Sequence, residues 1–276
     1  MVEAKLNNTT FLDNMNFNPI GIFDSGLGGI TIFKEIHAIL PKENIIYLAD
    51  SKNAPYGKKS KERIIELSIK NTEFLLKKGC KLIVVACNTA STNAVKTLRE
   101  KYDVPFIRIQ PAIKPAALNS KTRTVGILAT EGTITSDLFY ETSKKFAKGV
   151  EVVEQIGEGI VELIESGKMN SPEMDVLLRK HLYPMLEKKI DNLVLGCTHY
   201  PFLIPQISEI IGYNVTIIDS GEAVARQTKN ILELENLINN SVSNSEQSFY
   251  TNNNPDVFQS ILNTIDKKFK ATQLDF

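Results

Sequence analysis

Two cysteines each follow a short apolar run and precede small polar residues, an arrangement that suits acid–base chemistry. Cys87 lies in Ala86-Cys87-Asn88-Thr89, and Cys197 lies in Gly196-Cys197-Thr198-His199. A thiol beside a helix N-terminus or a cationic group can act as thiolate or thiol near neutral pH. One thiol on each side of a carbon could remove a proton from one face and return it on the other. The matched pair predicts inversion at an amino-acid α-carbon.

The third cysteine, Cys80, has no polar neighbour in sequence and is interpreted as structural. A cysteine after a strand is most often a small buried hydrophobe, so each of the other two could also be only structural when taken alone. Three cysteines are an odd number, which argues against a disulfide framework. The repeated context of Cys87 and Cys197 favours function.

The residues around the two cysteines predict an anion site. Asn88, Thr89, Thr198 and nearby backbone N–H groups could hold a carboxylate at helix N-termini. The glycine-rich loop 24–29 adds backbone donors, although it fits neither a Walker loop nor the dinucleotide fingerprint. Its first residue, Asp24, could simply form a turn, as could Asp50, and His199 could be a satisfied buried histidine.

No resident cofactor or metal is predicted. The three cysteines and three histidines show no zinc-ligand spacing, and no lysine has a recognisable Schiff-base context.

Alternating apolar runs and helical patterns must position these residues. Strands are predicted at 19–23, 45–48 and 82–86, with a helix at 60–78. Further helices are predicted to begin near Ala90 and directly after Cys197. Such alternation indicates an α/β fold with mostly parallel sheets, whose ligands bind at the carboxyl ends of the strands.

The pattern restarts at Arg123, so the chain is predicted to contain two pseudo-symmetric α/β domains with the active site in the cleft between them. Strands at 124–128 and 192–195 belong to the second unit, and the strand-like run 216–221 marks the return to the first. The domains are predicted as 1–110 with 221–276, carrying Asp24 and Cys87, and as 111–220, carrying Cys197 and His199. Residues 239–248 are expected to form an exposed loop, followed by a short strand near Phe249 and a final helix.

Composition narrows the class of protein. The 276 residues have a formal net charge of zero, which argues against nucleic acid as a main partner. No apolar run approaches the length of a membrane span, and the first 17 residues lack the apolar core of a secretory signal. A cytoplasmic protein without a membrane partner is therefore expected.

Over about residues 19 to 265 the chain resembles bacterial glutamate racemases of the aspartate/glutamate racemase superfamily. The resemblance rests on the order and spacing of these motifs: Gly21-Ile22-Phe23-Asp24-Ser25-Gly26-Leu27-Gly28-Gly29, Tyr47-Leu48-Ala49-Asp50, Pro55-Tyr56-Gly57, Ala86-Cys87-Asn88-Thr89-Ala90, Gly196-Cys197-Thr198-His199-Tyr200-Pro201 and Ile218-Asp219-Ser220-Gly221.

The resemblance implies that Cys87 deprotonates D-glutamate and Cys197 deprotonates L-glutamate, without a cofactor. Asp24 would assist Cys87, and His199 would assist Cys197. Two further acidic residues, Asp50 and Glu165, align with supporting positions. Substrate contacts would come from residues that hydrogen-bond to the two carboxylates and the amino group: Ser25, Pro55, Tyr56, Gly57, Asn88, Thr89, Thr130 and Thr198. The family supplies D-glutamate for peptidoglycan, and its members are often homodimers.

Three other functions remain open. A racemase for aspartate or a hydantoin would keep both cysteines and change the side-chain pocket. A cysteine hydrolase would use Cys197 with His199, although residues two apart on a loop rarely align as a pair and Cys87 would then be idle. A non-catalytic anion-binding module would use the glycine loop alone.

Overall fold

The apolar runs form parallel strands in residues 16–240 and 245–276, which are the residues described by the computed structural model. Four inner strands are buried along their whole length, as expected where helices cover both faces of a sheet: Ile20–Asp24, Leu82–Val85, Thr124–Ala129 and Asn192–Gly196. The first sheet contains, from edge to edge, β10 (Ala271–Gln273), β9 (Gln247–Thr251), β2 (Ile45–Ala49), β1 (Ile20–Asp24), β3 (Leu82–Val85) and β4 (Phe106–Arg108). The second contains β6 (Glu151–Ile156), β5 (Thr124–Ala129), β7 (Asn192–Gly196) and β8 (Thr216–Ile218).

Helices connect the strands and cover the sheets. They are α1 (Ile30–Ile39), α2 (Lys61–Lys77), α3 (Asn88–Asn93), α4 (Val95–Lys101), α5 (Ile113–Asn119), α6 (Glu131–Ile134), α7 (Asp137–Phe146), α8 (Ile160–Glu165), α9 (Pro172–Glu187), α10 (Ile204–Ile211), α11 (Gly221–Leu234) and α12 (Asp256–Leu262). Short 3₁₀ helices occur at Ser51–Asn53, Tyr56–Lys58 and Tyr200–Leu203. This architecture confirms the predicted α/β fold with parallel sheets.

The register of the first sheet brings several strand ends to one edge. Asp24 pairs with Ala49, and Ala49 pairs with Thr251 on its other side. On the opposite flank of β1, Phe23 pairs with Val85, two residues before Cys87. In the second sheet, Ala129 pairs with both Ile156 and Gly196, which precedes Cys197. The loops after these strands therefore lie together.

Two predicted helix starts differ from the structure. Helix α3 begins at Asn88 rather than near Ala90, because Cys87 itself is the N-cap and its Sγ accepts the Ala90 N–H at 3.4 Å. After Cys197 the chain makes a turn and a 3₁₀ helix, and the α-helix begins only at Ile204. Proline at position 201 disfavours a regular helix through the preceding residues.

The C-terminal region departs further from expectation. Asn239, predicted to lie in an exposed loop, is buried, because its N–H bonds to Glu43 and its side chain donates to the Lys42 carbonyl. Residues 241–244 of that loop lie outside the described residues, as does most of the segment judged for a secretory signal. Gln247 already begins β9, and β10 adds a strand after the final helix α12.

Helix α11 packs against α1 and returns the chain to the first sheet, whereas β8 still belongs to the second sheet. Within the described stretches, no helix combines the length and apolar character needed to cross a membrane.

Candidate active site

The Cys87 side of the site is built from the ends of β1 and β3. Cys87 is buried, and its Sγ lies 3.5 Å from Ser25 Oγ and accepts the Ala90 N–H. Ser25 in turn lies 3.4 Å from Asp24 Oδ1, which also accepts the Gly26 N–H at 2.8 Å. Asp24 therefore interacts with Cys87 through the bridging Ser25 hydroxyl and directly through its charge.

Burial and a nearby negative charge keep Cys87 as a thiol. Burial raises the pKa of Cys87 to about 12, and the Asp24 charge adds to the rise, while contacts with Ala90 and Ser25 oppose it. Burial also raises the pKa of Asp24, although His199 and hydrogen bonds from Gly26 and Thr198 act in the opposite direction. The Cys87 side can therefore donate a proton.

The Cys197 side is a chain of three groups. Cys197 Sγ lies 3.7 Å from Nδ1 of His199, and Nε2 of His199 lies 2.6 Å from Oε1 of Glu165. The turn after β7 thus brings two residues only two apart into contact, contrary to the expectation that they rarely align. Glu165, at the end of α8, also accepts the Leu27 N–H at 2.6 Å.

His199 is positioned to carry a proton. Burial lowers its pKa, but hydrogen bonds to Cys197 and Glu165 outweigh burial, so the pKa lies well above its ordinary value. A protonated Nε2 donates to Glu165 and cannot also accept the Gly28 N–H, which approaches it at 3.2 Å. We therefore assign the shorter carboxylate contact as the hydrogen bond. The resulting imidazolium faces the Cys197 sulfur.

The two sides are joined directly. Thr198 Oγ1 donates to Asp24 Oδ2 at 2.8 Å, and Thr31 Oγ1 donates to the Thr198 carbonyl at 3.2 Å. Close approach requires glycine in the loop after β1: a Cβ at Gly28 would lie 2.4 Å from His199 Nδ1, and one at Gly26 would lie 2.0 Å from Glu165 Oε1. This contact explains the glycine-rich loop without a phosphate ligand.

Hydroxyl and amide groups line the site between the sheets. Thr89 Oγ1 lies 2.8 Å from Thr130 Oγ1, and Thr133 Oγ1 lies 3.3 Å and 3.0 Å from those two hydroxyls. Asn88 is buried, yet neither its side-chain oxygen nor its nitrogen has a hydrogen-bond partner among the described residues. A buried amide without partners is costly, so Asn88 suits a polar ligand.

Asp50 accepts hydrogen bonds from three side chains. Its carboxylate accepts hydrogen bonds from the Tyr56 hydroxyl at 2.5 Å, from Asn53 at 2.8 Å and from Asn252 at 2.5 Å. Gly57, which follows Tyr56 in the chain, packs against Thr130. A Cβ added at Gly57 would lie only 2.9 Å from the Thr130 Cβ. A cavity of about 520 Å³ opens beside this contact, lined in part by Pro55, Gly57, Thr130, Lys58 and Glu162.

The structure brings most of the sequence-predicted residues to this cleft. Sequence reasoning missed three residues that the geometry adds: Thr133, which completes the hydroxyl cluster, and Asn71 and Asn252, which belong to the Asp50 network. Thr133 lies three residues after Thr130 at the start of a helix, a spacing that could have indicated a shared face. In residues 16–240 and 245–276, no three His, Cys, Asp or Glu side chains form a potential metal site.

Known proteins resemble this chain in sequence and fold. Residues 20–228 match the Asp/Glu/Hydantoin racemase family. A glutamate racemase from Herpetosiphon aurantiacus is 43% identical over 247 residues, covering 90% of this chain and 97% of the relative. The sequence similarity therefore extends over most of this chain and nearly all of that relative.

Two solved structures extend the comparison. Glutamate racemase from Francisella tularensis, in complex with D-glutamate, has a TM-score of 0.80 and 32% identity, covering 94% of this chain and 99% of its own. Glutamate racemase from Escherichia coli, in complex with L-glutamate and the activator UDP-MurNAc-ala, has a TM-score of 0.82 and 32% identity, covering 93% and 98%. The chain belongs to the glutamate racemases of the Asp/Glu/Hydantoin racemase family.

Proposed function

We propose that this protein interconverts L- and D-glutamate by proton transfer between two cysteines on opposite faces of the α-carbon. The observation that carries the proposal is the pair of buried thiols at the ends of β3 and β7, each with its own partners. Cys87 has Ser25 and Asp24, whereas Cys197 has His199 and Glu165. The arrangement supplies one acid and one base.

In the L-to-D direction, the Cys197 thiolate removes the α-proton, and the electron pair of the C–H bond remains on the α-carbon. The imidazolium of His199 stabilises the thiolate beforehand, because its charge faces the sulfur. The Cys87 thiol then gives its proton to the opposite face. Turnover leaves Cys197 protonated and Cys87 ionised, and the reverse reaction starts from that state. The assignment of each thiol to one enantiomer follows the family resemblance.

Substrate binding would use hydrogen bonds rather than a cluster of basic residues. The unpartnered Asn88 amide and the hydroxyls of Thr89 and Thr130 supply donors for the two carboxylates. The Thr198 hydroxyl already donates to Asp24, so Thr198 would contact the substrate through its backbone N–H. Asp24 supplies negative charge for the amino group, and Ser25 lies between it and Cys87. Pro55, Tyr56 and Gly57 would contact the substrate from the loop after β2.

The test is incubation of dialysed enzyme with L-glutamate in deuterium oxide, without added pyridoxal phosphate or metal. We expect loss of optical activity by circular dichroism, with deuterium at Cα of the D-glutamate formed. Aspartate serves as the competing substrate. Faster racemisation of aspartate than of glutamate would contradict the substrate assignment, and activity only with pyridoxal phosphate would contradict the mechanism.

We also propose a division of the chain into domains, an oligomeric state and a cellular role. The domains are proposed as 1–110 with 221–276 and as 111–220, limits supported by the segregation of the two sheets. A cytoplasmic homodimer that supplies D-glutamate for peptidoglycan follows from the family resemblance. Light scattering coupled to size exclusion checks the dimer, and depletion in cells should be rescued by external D-glutamate.

A further inference from the structure

The Asp50 carboxylate is the centre of a buried hydrogen-bond network. Three side chains donate to it: Tyr56, Asn53 and Asn252. Burial and then the Asp50 charge raise the pKa of Tyr56 well above its ordinary value, so the phenol keeps its proton. These hydrogen bonds fix Asp50 relative to the Tyr56 ring.

Asn252 comes from a distant part of the chain. It follows β9, whose pairing with β2 places Thr251 beside Ala49, the residue before Asp50. The buried Asn252 side chain donates to Asp50 Oδ1 and accepts the Lys52 N–H at 2.9 Å. One side chain therefore holds both the carboxylate and the first residues of the loop 51–58.

The other end of this loop reaches the site. The Tyr56 hydroxyl accepts a hydrogen bond from Asn71 of α2 at 3.1 Å, and the Tyr56 ring packs in the same apolar cluster as Cys87. Gly57 is in close contact with Thr130 across the cleft. The loop is held between the Asp50 network and the second sheet.

We propose that Asn252 is a positioning residue for substrate binding, acting through Asp50 on the Tyr56–Gly57 backbone. The inference rests on the proposed racemase function and assigns the C-terminal strand a part in it. The side-chain hydrogen bonds of Asn252 go to Asp50 and Lys52, and its backbone N–H donates to the Ala49 carbonyl, so none of them reaches a thiol or His199. It therefore affects the position of the binding loop and leaves the proton-transfer groups unchanged.

The test compares Asn252→Ala with Asn253→Ala, a matched control whose exposed side chain accepts the N–H of its neighbour Asn254. For Asn252→Ala, which removes two hydrogen bonds of the loop, KM for both enantiomers should rise about threefold to tenfold. This range equals the net contribution of about one hydrogen bond, because the loss reaches the substrate only through the position of the loop. The value of kcat and the primary isotope effects should stay near those of wild type. Asn253→Ala should match wild type in all of them.

A double mutant separates positioning from general damage to the fold. The proposed route runs from Asn252 to Asp50 and from Asp50 to the Tyr56 hydroxyl. The KM effects of Asn252→Ala and Tyr56→Phe should therefore not add when the two substitutions are combined. Additive effects, or an Asn252→Ala variant with wild-type KM, would overturn the inference. A fall in kcat with an altered isotope effect would also overturn it, because the proton-transfer groups would then be involved. Absence of glutamate racemisation by the wild-type protein would instead refute the proposed function.

Discussion

Replacing Glu165 by glutamine tests the assistance given to Cys197. Glutamine keeps the size of the side chain, and its carbonyl can still accept the Leu27 N–H. It removes the negative charge that lies 2.6 Å from Nε2 of the buried His199. The substitution therefore changes the protonation of His199 with little change in packing.

The expected loss follows from that one contact. A hydrogen bond between charged groups contributes about 1.5–3 kcal/mol, and a factor of ten in rate corresponds to about 1.36 kcal/mol. If the carboxylate stabilises the imidazolium mainly when Cys197 is ionised, kcat/KM should fall about 10-fold to 150-fold. Because L- and D-glutamate are enantiomers of equal energy, kcat/KM must fall equally in both directions, and only kcat, KM and isotope effects can become asymmetric.

The pH profile adds a second readout. The pKa of His199 is raised in the folded protein, so activity that needs the imidazolium is retained below that pKa and lost as pH rises through it. Without the carboxylate, the contribution of Glu165 that raises the pKa of His199 is lost, while that of Cys197 remains. The pKa of His199 should therefore fall from its wild-type position, and the alkaline limb of kcat/KM should move to lower pH. The assay is circular dichroism of both enantiomers from pH 6 to 10, with α-deuterated substrates for isotope effects. A Glu165→Gln variant with wild-type rates and an unmoved alkaline limb would refute the reasoning.

Two further sets of substitutions test the site. Cys87→Ala and Cys197→Ala should each abolish racemisation, because each removes proton transfer on one face. Both variants should keep the circular dichroism spectrum of the folded protein. Cys80→Ala, which alters a buried thiol outside the site, should keep near-normal turnover. Full turnover by either of the first two variants would exclude the two-thiol mechanism. Gly28→Ala should lower kcat at least tenfold, since the new methyl group would lie 2.4 Å from His199 Nδ1 and must displace the imidazole; an unaffected kcat would show that the imidazole position is unimportant.

The amino-acid sequence alone predicted the fold class, and it singled out two cysteines that follow strands. Periodicity is local information, so apolar runs ending at Asp24, Cys87 and Cys197 indicated parallel strands with polar groups at their carboxyl ends. The resemblance to a family then connected those positions to racemisation. Helix starts were less accurate, because capping by Cys87 Sγ and the turn before Pro201 depend on local geometry.

Tertiary structure alone decided which residues act together. Glu165 and His199 are far apart in sequence, yet α8 and the turn after β7 bring them to 2.6 Å. Strand register likewise carries Asn252 to Asp50, which no local pattern could indicate. Such contacts join elements that are distant in sequence and meet only when the chain folds. Burial of the polar groups at these contacts then sets their charge states.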